Sequence, residues 1–405
     1  MKSGGRQRKA RALSWGALGA AALLTLVACS PGGFGLPGGF GPPANVGEGA
    51  ALPLATGQSF GKGPVRVALL LPLTGDPGLS AVGISMANAS QLAMAFIESS
   101  DTIADNITVL LKDTGPTAAG AARAASQAVE EGASIILGPL KADQVTAAGS
   151  VAKAAGLSVI GFSNNSGAAS AGVFLLNVLP ESEVRRSLGY AKGLGKKAYA
   201  GIFPTTDFGR IQEGAFRQAT ADLGLNARAV YTFSSEAEAR AVMQQLAPAL
   251  QAGQIDALFM PDRATAPSFG VLLEEAGVPM GKVQLIGSAD WNGDAAIAST
   301  PYLVGAVYPA VDDTGYRALA PEYTARFGGT PHPLATIAYT ATILANASTL
   351  SMSTPKYDRT QLTLPGGFNG RDGVFRFLPD GRSEYALVIR SVTLGGSSVV
   401  DGPKL

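Results

Sequence analysis

Two residue types that build most catalytic centres are nearly missing: the 405 residues contain one cysteine, Cys29, and one histidine, His332. A single cysteine permits no internal disulfide, so stability must come from a large core. His332 sits between Pro331 and Pro333 with no second His or Cys nearby. A His-based metal cluster, a Ser-His-Asp triad or a Cys-His pair is therefore hard to assemble, and His332 is expected to begin a helix and face solvent. A glycine-rich phosphate loop ending in Gly-Lys-Ser/Thr is also missing. Asp312-Asp313 reads as a pair of loop acids rather than a general acid and base. Nothing asks for catalysis, a cofactor or a metal, and the chain reads as a non-enzyme. Charge is scarce too. Only 15% of residues are charged and the net charge is +1, which gives no general attraction to nucleic acid. Apolar residues are plentiful at 46%, over a length that suits two domains of ordinary size.

The first residues have a composition of their own. Lys2, Arg6, Arg8, Lys9 and Arg11 precede an uncharged run, 12–28, that closes on Leu26-Val27-Ala28-Cys29. A positive segment followed by a short apolar one is an export signal. The Leu-x-Ala-Cys ending resembles the lipobox at which bacterial lipoproteins are cut and acylated, which makes 1–28 a signal peptide and Cys29 the lipidated first residue. An uncleaved membrane anchor is the alternative, although the run is slightly short of the roughly 20 residues needed to span a bilayer. After Cys29, Pro31-Gly32-Gly33-Phe34-Gly35 is echoed by Pro37-Gly38-Gly39-Phe40-Gly41, and Pro42-Pro43 follow. Gly and Pro at this density cannot fill a core. Residues 29–64 therefore read as a lipidated Cys and a tether, spanning about 30 to 35 Å as a coil; its two Phe could instead contact a partner.

From Val65 the pattern becomes regular. Val65 to Pro72 reads as a buried strand, because it is continuous in Val and Leu and ends at Pro72 and Gly75. Helices are expected at 83–99, 117–131 and 142–155, and strands at 107–111, 134–137 and 158–162. Such alternation implies a parallel sheet with helices on both faces. A second set begins after 173–178, with strands near 198–203, 227–233, 257–260, 284–287 and 304–308 and helices at 207–223, 236–252 and 264–276. Two further helices, 316–327 and 334–350, precede a period-2 pattern at 374–377 and 385–392 that suggests a terminal antiparallel ribbon.

The landmarks VRVALLLPLTG (65–75), GASIILGPL (132–140), GLSVIGFSNNS (156–166), TTDFG (205–209), LIGSADW (285–291) and FNGRDGVFRFLPDG (368–381), in this order, resemble the type I periplasmic-binding fold of the leucine/isoleucine/valine-binding receptors. The resemblance implies an α/β protein of two Rossmann-like lobes joined by a three-strand hinge. It assigns 65–178 plus 310–369 to the N-terminal lobe and 179–309 plus 370–405 to the C-terminal lobe. Crossings then fall near Val178, Pro309 and Asn369, and ligand binds between the lobes.

Physical reasoning points to the same cleft, because ligands of open parallel sheets sit beyond the carboxyl ends of strands and at domain interfaces. The first strand delivers Thr74, Gly75, Leu79 and Ser80. The third delivers Leu140, Lys141, Ala142 and Asp143, and the fourth Ser163, Asn164 and Asn165. The second lobe adds Thr206, Asp207 and Phe208, then Asp290 and Trp291. A helix beginning at Ala142 would point backbone N–H groups at an anion. In amino-acid receptors of the resembled family a Ser there and a Thr after the fourth strand hold the α-carboxylate; these positions are Ala142 and Asn165 here. The lost Ser hydroxyl removes a hydrogen bond worth roughly 1.5 to 3 kcal/mol to a charged group. The α-ammonium anchor aligns with Ala289, one residue from Asp290. Phe208 stands where the family usually has Tyr. Asp290, Trp291 and Phe208 read equally well as turn or core residues, and Ser163 to Asn165 could simply satisfy a loop backbone.

Two functions follow. One is a receptor that binds an amino acid or related small polar solute and delivers it to an ABC permease. The other is suggested by GPLKADQV (138–145) and the lipoprotein start, which also resemble penicillin-binding protein activators, lipoproteins that stimulate a peptidoglycan synthase by contact. Either places the protein in the periplasm, lipid-anchored to the inner or outer membrane.

Overall fold

The computed structural model describes residues 57–405. The leader, Cys29 and the tether up to residue 56 lie outside the described residues.

The first lobe is built on β1 (Ser59–Phe60), β2 (Val65–Leu71), β3 (Ile107–Asp113), β4 (Ile135–Leu137), β5 (Ser158–Gly161) and β6 (Val173–Leu175). Their order is β1-β3-β2-β4-β5-β6, parallel except for β1. The continuous run Val67 to Leu71 is wholly buried, as strands covered on both faces require. The covering helices are α1 (Pro77–Glu98), α2 (Ala118–Glu130) and α3 (Ala142–Ala154). Two sequence readings change here. Ser59 and Phe60, placed in the tether, pair with Leu110 and Val109 as an edge strand. Helix α1 begins six residues before the expected Gly83, because Asp76 accepts the N–H of Leu79 at 2.7 Å and Pro77 takes the first helical position, where its missing N–H costs nothing.

The second lobe follows with α4 (Pro180–Gly193), β7 (Ala198–Pro204), α5 (Asp207–Asp222), β8 (Asn226–Phe233), α6 (Glu236–Gln251), β9 (Ala257–Phe259), α7 (Ala266–Glu275), β10 (Gln284–Ile286), α8 (Ala295–Ser299) and β11 (Val307–Ala310). The chain then returns to the first lobe, where α9 (Thr314–Phe327) and α10 (Ala335–Asn346) pack on α1. Ser90 and Thr342 share a hydrogen bond of 2.6 Å there, and Asn88 donates to Tyr323 Oη at 3.1 Å.

The last segment corrects the expected lobe boundary. β12 (Phe368–Gly370), β13 (Gly373–Phe377) and β14 (Ser383–Tyr385) form a small antiparallel sheet. Phe375, Phe377 and Tyr385 belong to the first lobe's core, with Phe377 against Phe174 at 5.3 Å between ring centres. Gly381, at φ +90°, brings this ribbon so close that a Cβ would meet Val173 O at 2.1 Å. The chain therefore passes to the second lobe at Ala386, not at Asn369, because the buried aromatics tie 370–385 to the first lobe. The expected strand 385–392 is divided by this passage. β15 (Leu387–Thr393) and β16 (Gly396–Lys404) complete a second-lobe sheet of order β16-β15-β11-β10-β9-β7-β8.

Candidate functional site

A cavity of about 370 Å³ opens between the lobes, within the range typical of small-molecule sites. It lies beyond the carboxyl ends of the strands: Asn164 follows β5, Asn177 and Val178 follow β6, Arg263 follows β9, and Ser288 to Asp290 follow β10. Both lobes and the passages between them contribute, including Val311 after β11 and Tyr385 and Leu387 around the last crossing. Phe208, Ile211, Leu334 and Ile337 supply apolar surface.

Three carboxyl groups face this space, each disturbed by burial. Asp290 lies in a short 3-10 turn, Ala289–Trp291, whose entry is fixed by Ser288. Ser288 Oγ donates to Pro261 O at 2.7 Å and accepts the N–H of Asp290. The Asp290 side chain is only 5% exposed, accepts the N–H of Arg263 at 3.3 Å, and lies 3.6 Å from Arg263 Nε. Burial pushes it up to about 6; the Arg263 N–H and guanidinium oppose this, while Asp262 and Asp294 add to it. Glu183 comes from the first turn of α4. Loss of solvation pushes it up to about 8, against the N–H of Ala289, and the charges of Asp290 and Glu181 raise it further. A hydrogen bond from Gln212 pulls the other way. Asp372, in the turn between β12 and β13, is raised to about 6 by burial, opposed by Thr336, whose Oγ1 lies 2.9 Å away. The cost of burying a charge is the common cause.

Of the sequence candidates, Asn164, Phe208 and Asp290 line the cavity together, with Ala289 beside Asp290, whereas Ser80, Ala142, Asp143, Ser163, Asn165 and Trp291 do not. Ser163 Oγ accepts the N–H of Asn165 at 3.1 Å, and Asn165 Oδ1 accepts that of Gly167 at 2.9 Å, so these two shape their own loop. Ala142 and Asp143 open α3, where Lys141 approaches Asp143 at 3.8 Å. Ser80, in the first turn of α1, has a buried Oγ without a hydrogen-bond partner, outside the cavity. Trp291 is a core residue, 1% exposed, and its ring stands where a Cβ on Gly287 would fall. His332 does not face solvent. It is 8% exposed, its N–H donates to Ser85 Oγ, its Nδ1 accepts the N–H of Leu334, and burial depresses it to about 4.

Sequence reasoning missed Glu183, Gln212, Arg263, Thr336 and Asp372. Glu183 was within reach: Pro180 at the helix start, acids in the first turn, Lys192 in the last, and Val184, Leu188 and Ala191 on one face spell out α4. Asp372 had no such signal, because only the folding of the ribbon onto the first lobe brings it to the cleft.

A family model described as periplasmic binding protein matches residues 64–355. The chain belongs to that family. Membership implies a periplasmic location and a kinship with solute-binding proteins rather than enzymes. No curated protein matches the chain. Among solved structures, a Rhodospirillum rubrum protein described as a branched-chain amino acid ABC transporter is 20% identical, with TM-score 0.71 over 83% of this chain and 99% of that one. A substrate-binding protein from Desulfitobacterium hafniense in complex with Leu is 16% identical, with TM-score 0.59 over 83% and 99%. The LpoA C-domain from Haemophilus influenzae, a regulator of PBP1A, is also 16% identical, with TM-score 0.61 over 83% and 99%. At these identities the likeness shows the type I periplasmic-binding fold.

Proposed function

We propose that this protein is a receptor for a small polar solute, amino-acid-like in character, held to the envelope by a lipid on Cys29 and serving an ABC importer. The observation that carries this reading is the cavity itself: its wall is assembled from both lobes and from the segments between them. A solute lodged there touches both halves at once. It therefore favours the state in which the halves are closed, and differential affinity for that state is all that closure requires. The wall suits a small solute, with apolar faces from Phe208 and Leu334 beside Asn164, Arg263 and Asp290. Relatives of the same fold include one complexed with Leu and one complexed with isoleucine.

The test is thermal unfolding of the full-length protein against amino acids, amines, short peptides and cell-wall fragments. A ligand at 100 times its dissociation constant adds about 2.7 kcal/mol, enough to raise the midpoint by a few degrees in a chain this long. A shift confined to one chemical class supports the receptor. No shift with any compound contradicts it and passes the reading to a regulator of peptidoglycan synthesis that acts by protein contact.

A further inference from the structure

Two buried acceptors on cavity-lining residues have no hydrogen-bond donor. Gln212 is 2% exposed and lines the cavity. Its side chain is bonded to Glu183, and its Oε1 is buried without a hydrogen-bond partner. Asp290 Oδ1 is likewise buried without a hydrogen-bond partner, the Arg263 Nε standing off at 3.6 Å. A carbonyl or carboxylate oxygen can be satisfied only by an N–H or O–H, and leaving it bare in a closed site costs about 1 to 3 kcal/mol. A solute that presents a carboxylate or an alkyl group here leaves that cost in place.

Charge leads to the same chemistry. Glu183 and Asp290 come from the second lobe, Asp372 from the first, and Arg263 is the one cation among the lining residues. Glu183 keeps its proton at neutral pH, so closing the lobes without a cation brings together the ionised Asp290 and Asp372, like charges that repel. A solute positive at both ends removes the repulsion and bridges the lobes.

We infer that the cleft takes a solute with a cationic hydrogen-bond donor at each end, a diamine or a basic amino acid, one end held by Glu183, Gln212 and Asp290 and the other by Asp372. This inference rests on the receptor reading and narrows its solute class. Arg263, whose Nε lies 3.6 Å from Asp290, can also meet a carboxylate, which a basic amino acid carries and a diamine does not.

Calorimetric titration of the full-length protein with lysine, cadaverine, leucine and glutamate tests it. Lysine and cadaverine are expected to bind at least about tenfold more tightly than leucine, and glutamate more weakly than both, as the loss of one charged hydrogen bond implies. Asp372→Asn, which keeps the shape of the side chain, should weaken cadaverine by about ten- to a hundredfold and leave any leucine binding unchanged. Asn165→Ala, off the cavity, should leave all four unchanged. Leucine binding more tightly than lysine and cadaverine would overturn this inference and leave the receptor standing. An Asp372→Asn variant that binds cadaverine like the wild type would overturn the placement of the second end. Failure of all four compounds, with no shift across the wider unfolding panel, would sink receptor and inference together.

Discussion

The loop after β5 and the turn after β10 occupy equivalent places at the carboxyl edges of the two sheets, yet their polar groups are spent differently. In the first, Ser163 and Asn165 are engaged with the backbone of their own loop. In the second, Asp290 keeps one buried oxygen without a hydrogen bond, and Gln212 beside it keeps another. The difference teaches that a polar residue at a strand end is no guide to a ligand until its local partners are counted. Asx turns and caps satisfy many such groups. The acceptors left over at the second wall are the ones a solute can meet.

Three changes test this contrast. Removing the exposed-to-ligand acid has the largest expected effect: Asp290→Ala should weaken a cationic solute such as lysine by about ten- to a hundredfold in calorimetry. Unchanged affinity would move the site elsewhere. A smaller effect is expected on stability. Glu183 holds its proton up to about 8, against an ordinary value of 4.5. Between these values the folded state binds more protons than the unfolded chain, so this group's contribution to stability falls as pH rises. Glu183→Gln should therefore raise the unfolding midpoint near pH 8 by on the order of 2 °C or more, with the gain shrinking toward pH 4. A gain independent of pH would show that the carboxyl is not the cause. The smallest effect is expected at the other loop, where Asn165→Ala removes a cap worth about 1 kcal/mol. The midpoint should fall slightly while affinity for lysine stays the same.

The regular part of the fold was legible because burial on both faces writes long apolar runs. Val65 to Leu71 could hardly be anything but a central strand, and the alternation that follows it implies parallel sheets. The boundary of the lobes was not legible. Phe375 and Phe377 alternate as a strand should, but alternation does not say which core receives them; their packing with Phe174 and the fit of Gly381 against Val173 do. The site was half legible for a similar reason. Asn164, Phe208 and Asp290 follow strands or open a helix, where sequence reasoning looks. Glu183 lies in the first turn of α4 and Gln212 in the second turn of α5, and Asp372 reaches the cleft through a tertiary contact 36 residues from Thr336. His332 went astray because two flanking prolines suggested an exposed turn, whereas Ser85 and the N–H of Leu334 satisfy it in the interior.

The most direct measurement is a crystal structure of the full-length protein grown with saturating lysine. The account predicts the solute between the lobes, one ammonium group on Asp290 and Gln212 and the other on Asp372. Lysine seated against Ala142 and Asn165, or an empty cavity with lysine bound elsewhere, would contradict it.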